Sequence, residues 1–299
     1  MTRHFQILVS ENMPSNLPAN TLIINEFSKI QNLLGQEFEM ILFDARKGIH
    51  LEALVIAAGT LKMNGTLIVL LSNWGELHSQ IDEDSLRWSG SIEAIATPRF
   101  MTYFKYCIHK YGFPVLYHQN DLKFDRTFQQ SFVNHNATLD QQKIIEQILQ
   151  KESELYFLTA KRGRGKSALA GLLANQLDTK IYLTAPNKSA VKILAEFSQK
   201  EIIFIAPDEL FLALQNDPSF SENAWLFVDE AAMLPIAQLS AFSQYFKHIL
   251  FTTTIHSYEG TGRGFELKFK QKINRTFSDF ELIEPLRWSK DDALEAFID

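Results

Sequence analysis

Residues 156–170, YFLTAKRGRGKSALA, constrain this chain more than any other stretch. Tyr156-Phe157-Leu158-Thr159 is a short apolar run with the length of a buried strand. Ala160-Lys161-Arg162-Gly163-Arg164-Gly165-Lys166-Ser167 follows as a basic, glycine-bearing loop, and residues 168–174, ALAGLLA, read as an apolar helix. Strand, loop and helix in that order make a phosphate-binding turn, because the N–H groups of the loop and of the helix start converge on one anion. In such a turn Lys166 reaches the β- and γ-phosphates of a nucleotide and the Ser167 hydroxyl ligates Mg²⁺. The pattern G-x-x-x-x-G-K-[ST] places glycine where this chain has Ala160. A methyl group is the smallest intrusion there, and Gly163 keeps a flexible position inside the loop. The competing reading is a basic turn before a core helix.

A second motif downstream argues for the site. Trp225-Leu226-Phe227-Val228 is apolar and runs directly into Asp229-Glu230, the pattern of a Walker B strand. Asp229 is expected to hold Mg²⁺, and Glu230 to orient and polarise the attacking water. A helix cap would explain one acid but not two in tandem. The strand at 248–251 ends in Thr252-Thr253-Thr254. These hydroxyls can sense a phosphate or bond to Glu230, or they can be a β-rich run without function. Upstream, Gln141 and then Gln142 are candidates for reading an adenine edge, since an amide offers a donor and an acceptor side by side. A solvated helix start is the alternative there.

At 299 residues the chain has length for two domains, each with its own core. The net charge of −6 excludes a polycation, so any nucleic-acid contact must come from a local patch. Cys107 is the only cysteine, which excludes an internal disulfide and fits a cytoplasmic location. The first residues hold no apolar segment of signal-peptide type, and apolar runs such as 67–71 are far too short to span a bilayer. The histidines are scattered without metal-ligand spacing.

Alternating strand-like and helix-like segments predict parallel sheets with helices on their faces. Residues 1–120 are expected to form a small α/β domain. Its strands lie near 5–9, 21–24, 40–43, 66–71 and 115–117; its helices lie near 27–34, 51–61 and 98–110, and Asn64-Gly65 is the turn ending the helix at 51–61. Asp44-Ala45-Arg46 and residues 84–88, DSLRW, are its polar clusters, readable as a ligand site at the strand ends or as caps and turn salt bridges. Residues 121–137 are the expected linker, and 138–299 a second α/β domain with Thr138 or Asp140 capping its first helix. Residues 265–277 read as a basic helix with Lys268, Lys270, Lys272 and Arg275, a solvated face or an RNA-backbone contact. Arg263, in the glycine-rich YEGTGRGF at 258–265, can pair with phosphate.

FDARKGIHLEALVIAAGTLK, DSLRWSG with IATPRF, RGRGKSALAG, FIAPDEL, VDEAAMLP, TTTIHSYEGTGRGFELKF and EPLRW follow one another along nearly the whole chain. In these stretches the chain resembles the N-terminal and helicase-like modules of the bacterial tRNA(Met) cytidine acetyltransferases. The resemblance implies a small N-terminal α/β domain followed by a RecA-like P-loop NTPase domain with a parallel sheet. It implies a family that acetylates the wobble cytidine of elongator tRNA(Met) from acetyl-CoA and uses ATP or GTP, with Mg²⁺, to present the RNA. By that likeness Gln141, Gly163, Arg164, Gly165, Lys166, Ser167, Ala168, Leu169 and Arg287 contact the nucleotide, Ser167 and Asp229 hold Mg²⁺, and Lys166, Asp229 and Glu230 carry hydrolysis. In the family a GNAT-type acetyltransferase domain follows the Arg287-Trp288 segment, so acetyl transfer is expected to need residues outside these 299, supplied further along or by a separate polypeptide. Two other classes remain: a helicase-type motor ATPase, and a nucleotide-binding partner without turnover.

Overall fold

The computed structural model describes residues 3–33, 36–123, 136–151, 154–161, 163–186, 188–255, 268–286 and 288–299. The chain divides into two compact units, one of Met1–Ser131 with Arg287–Asp299, the other of Phe132–Leu286.

The first unit is built on a parallel sheet of β1 (His4–Val9), β2 (Leu22–Ile24), β3 (Phe38–Asp44), β4 (Leu61–Leu71) and β7 (Val115–Leu116), in the order β2-β3-β4-β1-β7. Its central strands are apolar on both faces because both are covered. Phe5, Ile7, Ile41, Phe43, Leu67 and Val69 point into one core, shared with α1 (Leu51–Thr60) and α3 (Pro98–Lys110). The residues between them, Leu8, Met40, Leu42, Ile68 and Leu70, enter a second core with Leu122. A two-stranded ribbon, β5 (Ile81–Asp82) with β6 (Ile95–Ala96), encloses the short helix α2 (Ser85–Trp88).

Three local expectations differ from the structure. The Asn64-Gly65 turn ends no helix: α1 stops at Thr60, and Leu61 already begins β4. Asn64 at φ 60° and Gly65 lie inside that strand, where the pairing with β3 is irregular, and a Cβ at Gly65 would meet the carbonyls of Glu39 and Lys62 at 2.9 Å. The helix expected near 27–34 is one 3-10 turn, Ile30–Leu33. The basic helix expected over 265–277 is helical only at 268–270 among the described residues, and β13 begins at Phe277.

The second unit is a sheet of six parallel strands: β8 (Leu155–Ala160), β9 (Lys180–Thr184), β10 (Ile203–Phe204), β11 (Ala224–Val228), β12 (His248–Thr254) and β13 (Phe277–Leu282). The order is β10-β9-β11-β12-β8-β13, so β12 lies between the phosphate-loop strand β8 and the acidic strand β11. That interleaved order, with the glycine loop leaving β8, is a RecA-like arrangement. Tyr156, Leu158, Ile181, Leu183, Phe227 and Leu250 pack toward α4 (Leu139–Gln150) and α5 (Lys166–Gln176). The alternate residues Leu155, Phe157, Leu226, Val228, Ile249 and Phe251 pack toward α7 (Pro207–Asn216) and α8 (Ile236–Tyr245). α6 (Ser189–Phe197) lies beside α5, where Gly171 comes so near Leu194 and Phe197 that no side chain fits between.

The C-terminal residues differ from the expected boundary, which put everything from 138 to 299 in one domain. Asp292 forms a buried ion pair with Arg3 at 2.7 Å and caps the last helix, Ala293–Ile298, by accepting from the Glu295 N–H. Arg3 also donates to the Ala58 carbonyl and lies 3.7 Å over the Trp288 ring. Phe297 joins Phe5, Phe104, Tyr111 and Phe113 in an aromatic cluster. Most of the expected linker, 121–137, lies outside the described residues.

Candidate functional site

β8 ends at Ala160, fully buried, and the chain turns through Gly163 and Gly165 into α5. Both glycines have positive φ, 72° and 81°, the conformation that lets successive N–H groups face one point. At Gly165 a Cβ would collide with Leu286 Cδ1 and lie 2.8 Å from Gln141 Nε2. The loop is held from β13 as well: the Leu286 N–H donates to the Gly163 carbonyl at 2.9 Å, and Arg164 Nε to the Ile283 carbonyl at 2.7 Å.

Lys166 opens α5 with its side chain buried, and its ammonium donates to Thr254 Oγ1 at 2.8 Å. Thr254 in turn donates its hydroxyl to Glu230 Oε1 at 2.6 Å and its N–H to Oε2 at 3.2 Å. Lys166 Nζ is itself 4.0 Å from Glu230. Strand order creates this chain of contacts, because β12 places its last threonine between the phosphate loop and the acidic strand. Glu230 is turned toward Thr254 by a left-handed backbone, φ 48° and ψ 48°, unusual for a side-chain-bearing residue and frequent at functional positions.

Asp229 is 8% exposed. It accepts from Thr252 Oγ1, and its Oδ2 lies 3.5 Å from Ser167 Oγ. Burial pushes its carboxyl above the usual carboxylate range, and the Glu230 charge adds to that. The Thr252 hydrogen bond and the Lys166 charge oppose the shift without cancelling it. The hydroxyls of Thr184 and Thr253 are buried without a partner among the described residues.

Ser167, Ala168 and Leu169 occupy the first turn of α5 with Lys166, the latter two buried in the core. Gln141 lies where an adenine reader was expected, but its amide has other partners. It closes a capping box with Thr138, which is the N-cap of α4, and donates to the Gly165 carbonyl at 3.1 Å. Arg287, Arg263 and the 258–265 loop lie outside the described residues. Sequence reasoning missed Thr184, whose carbonyl accepts the Asp229 N–H at 2.9 Å, although its place at the C-terminal end of β9 is a recognisable signal. It also gave no role to Leu286, although that residue lies in the EPLRW stretch.

The polar clusters of the first unit are turn salt bridges. Arg46 forms a two-point pair with Asp44 at 2.6 and 2.9 Å, and Arg87 forms one with Asp84 at 3.0 Å on both arms. Two cations of the basic run after the glycine-rich loop are engaged too. Lys270 pairs with Asp279 at 2.5 Å, and Arg275 pairs with Glu154 and donates to the carbonyls of Ser243, Phe246 and Lys247.

Two family models divide the chain between them. Residues 5–119 match the N-terminal domain of tRNA(Met) cytidine acetyltransferase TmcA, and residues 157–299 match the helicase domain of RNA cytidine acetyltransferase NAT10/TcmA. The chain belongs to the tRNA(Met) cytidine acetyltransferase family. It is 61% identical to tRNA(Met) cytidine acetyltransferase TmcA of Haemophilus influenzae, aligned over all of this chain and 46% of that protein. The relative of the same name from Actinobacillus pleuropneumoniae is 39% identical over 91% of this chain and 46% of that protein, and the one from Pectobacterium atrosepticum is 38% identical over 97% and 41%. The chain thus spans about half the length of the curated relatives it matches. Among solved structures, the UvsW helicase of bacteriophage T4 matches at a TM-score of 0.37 with 9% identity, covering 67% of this chain and 86% of that one. Pif1 helicases at forked double-stranded DNA match at 0.37 with 14% identity, covering 52% and 46%. No described helix is long and apolar enough to cross a membrane.

Proposed function

We propose that this family member binds and hydrolyses ATP or GTP at the α5 loop and uses the change in phosphate state to present tRNA(Met) for acetylation. The observation that carries this reading is the contact chain from Lys166 through Thr254 to Glu230. It joins a phosphate-binding cation, a hydroxyl able to sense phosphate, and a carboxylate able to orient water. In the proposed reaction the loop N–H groups and Lys166 neutralise charge on the γ-phosphate as water, aligned by Glu230, attacks it. Incoming phosphate replaces Glu230 and Thr254 as the partner of Lys166, which frees Glu230 for the water.

The residues fit Mg²⁺. Ser167 Oγ and Asp229 Oδ2 lie 3.5 Å apart at the loop mouth, and two hard oxygen donors suffice for an ion otherwise ligated by nucleotide phosphates and water. No group of three or more His, Cys, Asp or Glu among the described residues makes an all-protein metal site, which suits a nucleotide-borne ion. Held by Ser167 and Asp229, Mg²⁺ would supply neutralisation of negative charge on the nucleotide.

Acetyl-CoA chemistry belongs, in this reading, to residues outside the 299 given, in keeping with the half-length match. Lys166→Ala tests the proposal. Affinity for a fluorescent ATP analogue should fall by about 10²-fold or more, with release of inorganic phosphate lost. Unchanged binding would remove the site assignment. Tight binding by the wild type without turnover, even with tRNA present, would leave a nucleotide-binding module instead of an ATPase.

A further inference from the structure

The outer face of α3 is used neither by the phosphate site nor by the core. Its inner residues Met101, Phe104, Cys107 and Ile108 are buried. Arg99, Tyr103, Tyr106 and Lys110 recur at i, i+4, i+7 and i+11, so they share the opposite face. Tyr103 and Tyr106 are 65% and 57% exposed, with ring centroids 6.2 Å apart and planes 30° from parallel. Among the described residues neither ring enters a hydrophobic cluster.

The charge along this segment is one-sided. Over the whole chain 35 acids outnumber 29 Lys and Arg, yet residues 94–120 contain no Asp or Glu at all. Two exposed rings between two cations, in an acid-free segment of an acidic chain, complement a polyanion that carries aromatic faces. Tyr and Arg also occur at protein interface centres, but Lys is depleted there, and ring-flanking charges that are all basic favour a polyanion. In the basic run at 268–275, by contrast, Lys270 and Arg275 are already tied to Asp279, Glu154 and backbone carbonyls.

We propose that this face of α3 binds single-stranded RNA, with bases stacking on Tyr103 and Tyr106 and phosphates pairing with Arg99 and Lys110. The proposal rests on the reading that the chain works on RNA. It places an RNA contact on the first unit, whereas the residues that handle nucleotide belong to the second.

The test is fluorescence anisotropy of a labelled oligouridine titrated with the full 299-residue chain. Tyr103→Ala and Tyr106→Ala should each weaken binding about tenfold, and the two Phe replacements should retain it, because stacking needs the ring and not the hydroxyl. Arg99→Gln with Lys110→Gln should flatten the slope of log affinity against log salt by about 1.4. Affinity for a fluorescent ATP analogue should be unchanged in all these variants. Wild-type RNA affinity in the Ala variants, or equal loss in the Phe variants, would overturn the stacking face. No RNA binding by the wild type would overturn the proposal together with the RNA reading beneath it, leaving the nucleotide site to stand on Lys166→Ala alone. Loss of self-association in the Ala variants with RNA binding intact, measured by light scattering, would assign the face to a second copy and overturn it as well.

Discussion

Both units bury a parallel sheet, and both carry a carboxylate at a strand's C-terminal end, but the two acids are in opposite situations. Asp44 closes β3 and finds Arg46 two residues later. The Arg46 hydrogen bond holds its carboxyl below the usual range, against the effect of burial. Asp229 follows β11 into a more enclosed place, beside a second acid, and its carboxyl is pushed up. An acid neutralised by a neighbour in sequence stabilises a turn. An acid that adjoins a second acid in sequence, and that tertiary structure encloses near a lysine and a serine, costs the ligand-free fold stability and is disposed to take up a cation. Perturbation of that second kind marks functional positions.

The contrast can be broken first at Glu230. Glu230→Gln should cut nucleotide turnover by about 10²- to 10⁴-fold, the size of a general-base effect, while leaving nucleotide affinity within a few-fold. A phosphate-release assay beside a binding titration separates the two. In the first unit the largest effect should come from Asp292→Ala, which leaves Arg3 charged, buried and without its carboxylate. Loss of about 3–5 kcal/mol in chemical denaturation is expected there, with nucleotide affinity little changed. Burial raises the Asp292 carboxyl, but the hydrogen bonds and charge of Arg3 bring it net below the usual value, so its stabilisation is present at neutral pH and lost in acid.

Gly165→Ala should cost about 1–3 kcal/mol, because φ 81° is strained for any side chain and the new methyl meets Leu286 and Gln141. Nucleotide affinity should fall with it. The smallest effects sharpen the comparison best. The raised Asp229 carboxyl makes the folded state bind more protons than the unfolded one, so stability falls as pH rises from about 4 through the raised value. Asp229→Asn should therefore raise the neutral-pH Tm of the ligand-free protein, and the gain should vanish as pH falls toward about 4. Asp44→Asn should do the reverse, lowering the neutral-pH Tm, with the loss disappearing in acid. Parallel Tm-against-pH curves for the two variants would abolish the distinction.

Much of this was legible in the chain. The α/β alternation, helix α3 over Pro98–Lys110, helix α6 over Ser189–Phe197 and the two nucleotide motifs follow from apolar runs, glycine placement and cap residues, which are local. Local signals misled where a neighbour across the sheet decided the outcome. Asn64-Gly65 reads as a helix stop but shapes β4 against Glu39, and the basic residues at 270 and 275 read as a solvated face but are drawn onto acids and carbonyls elsewhere in the chain.

By itself, then, the sequence determined that a phosphate loop and a tandem-acid strand exist, because each is specified within a few residues by backbone freedom and side-chain chemistry. Only the tertiary structure decided what they touch. Strand order put Thr254 between Lys166 and Glu230, and packing turned the Gln141 amide onto Gly165. It also joined Asp292 to Arg3 across 289 residues and so returned the end of the chain to the unit where it began. Such pairings leave no periodicity to read, since they depend on which buried charge and which carbonyl meet once both sheets have formed.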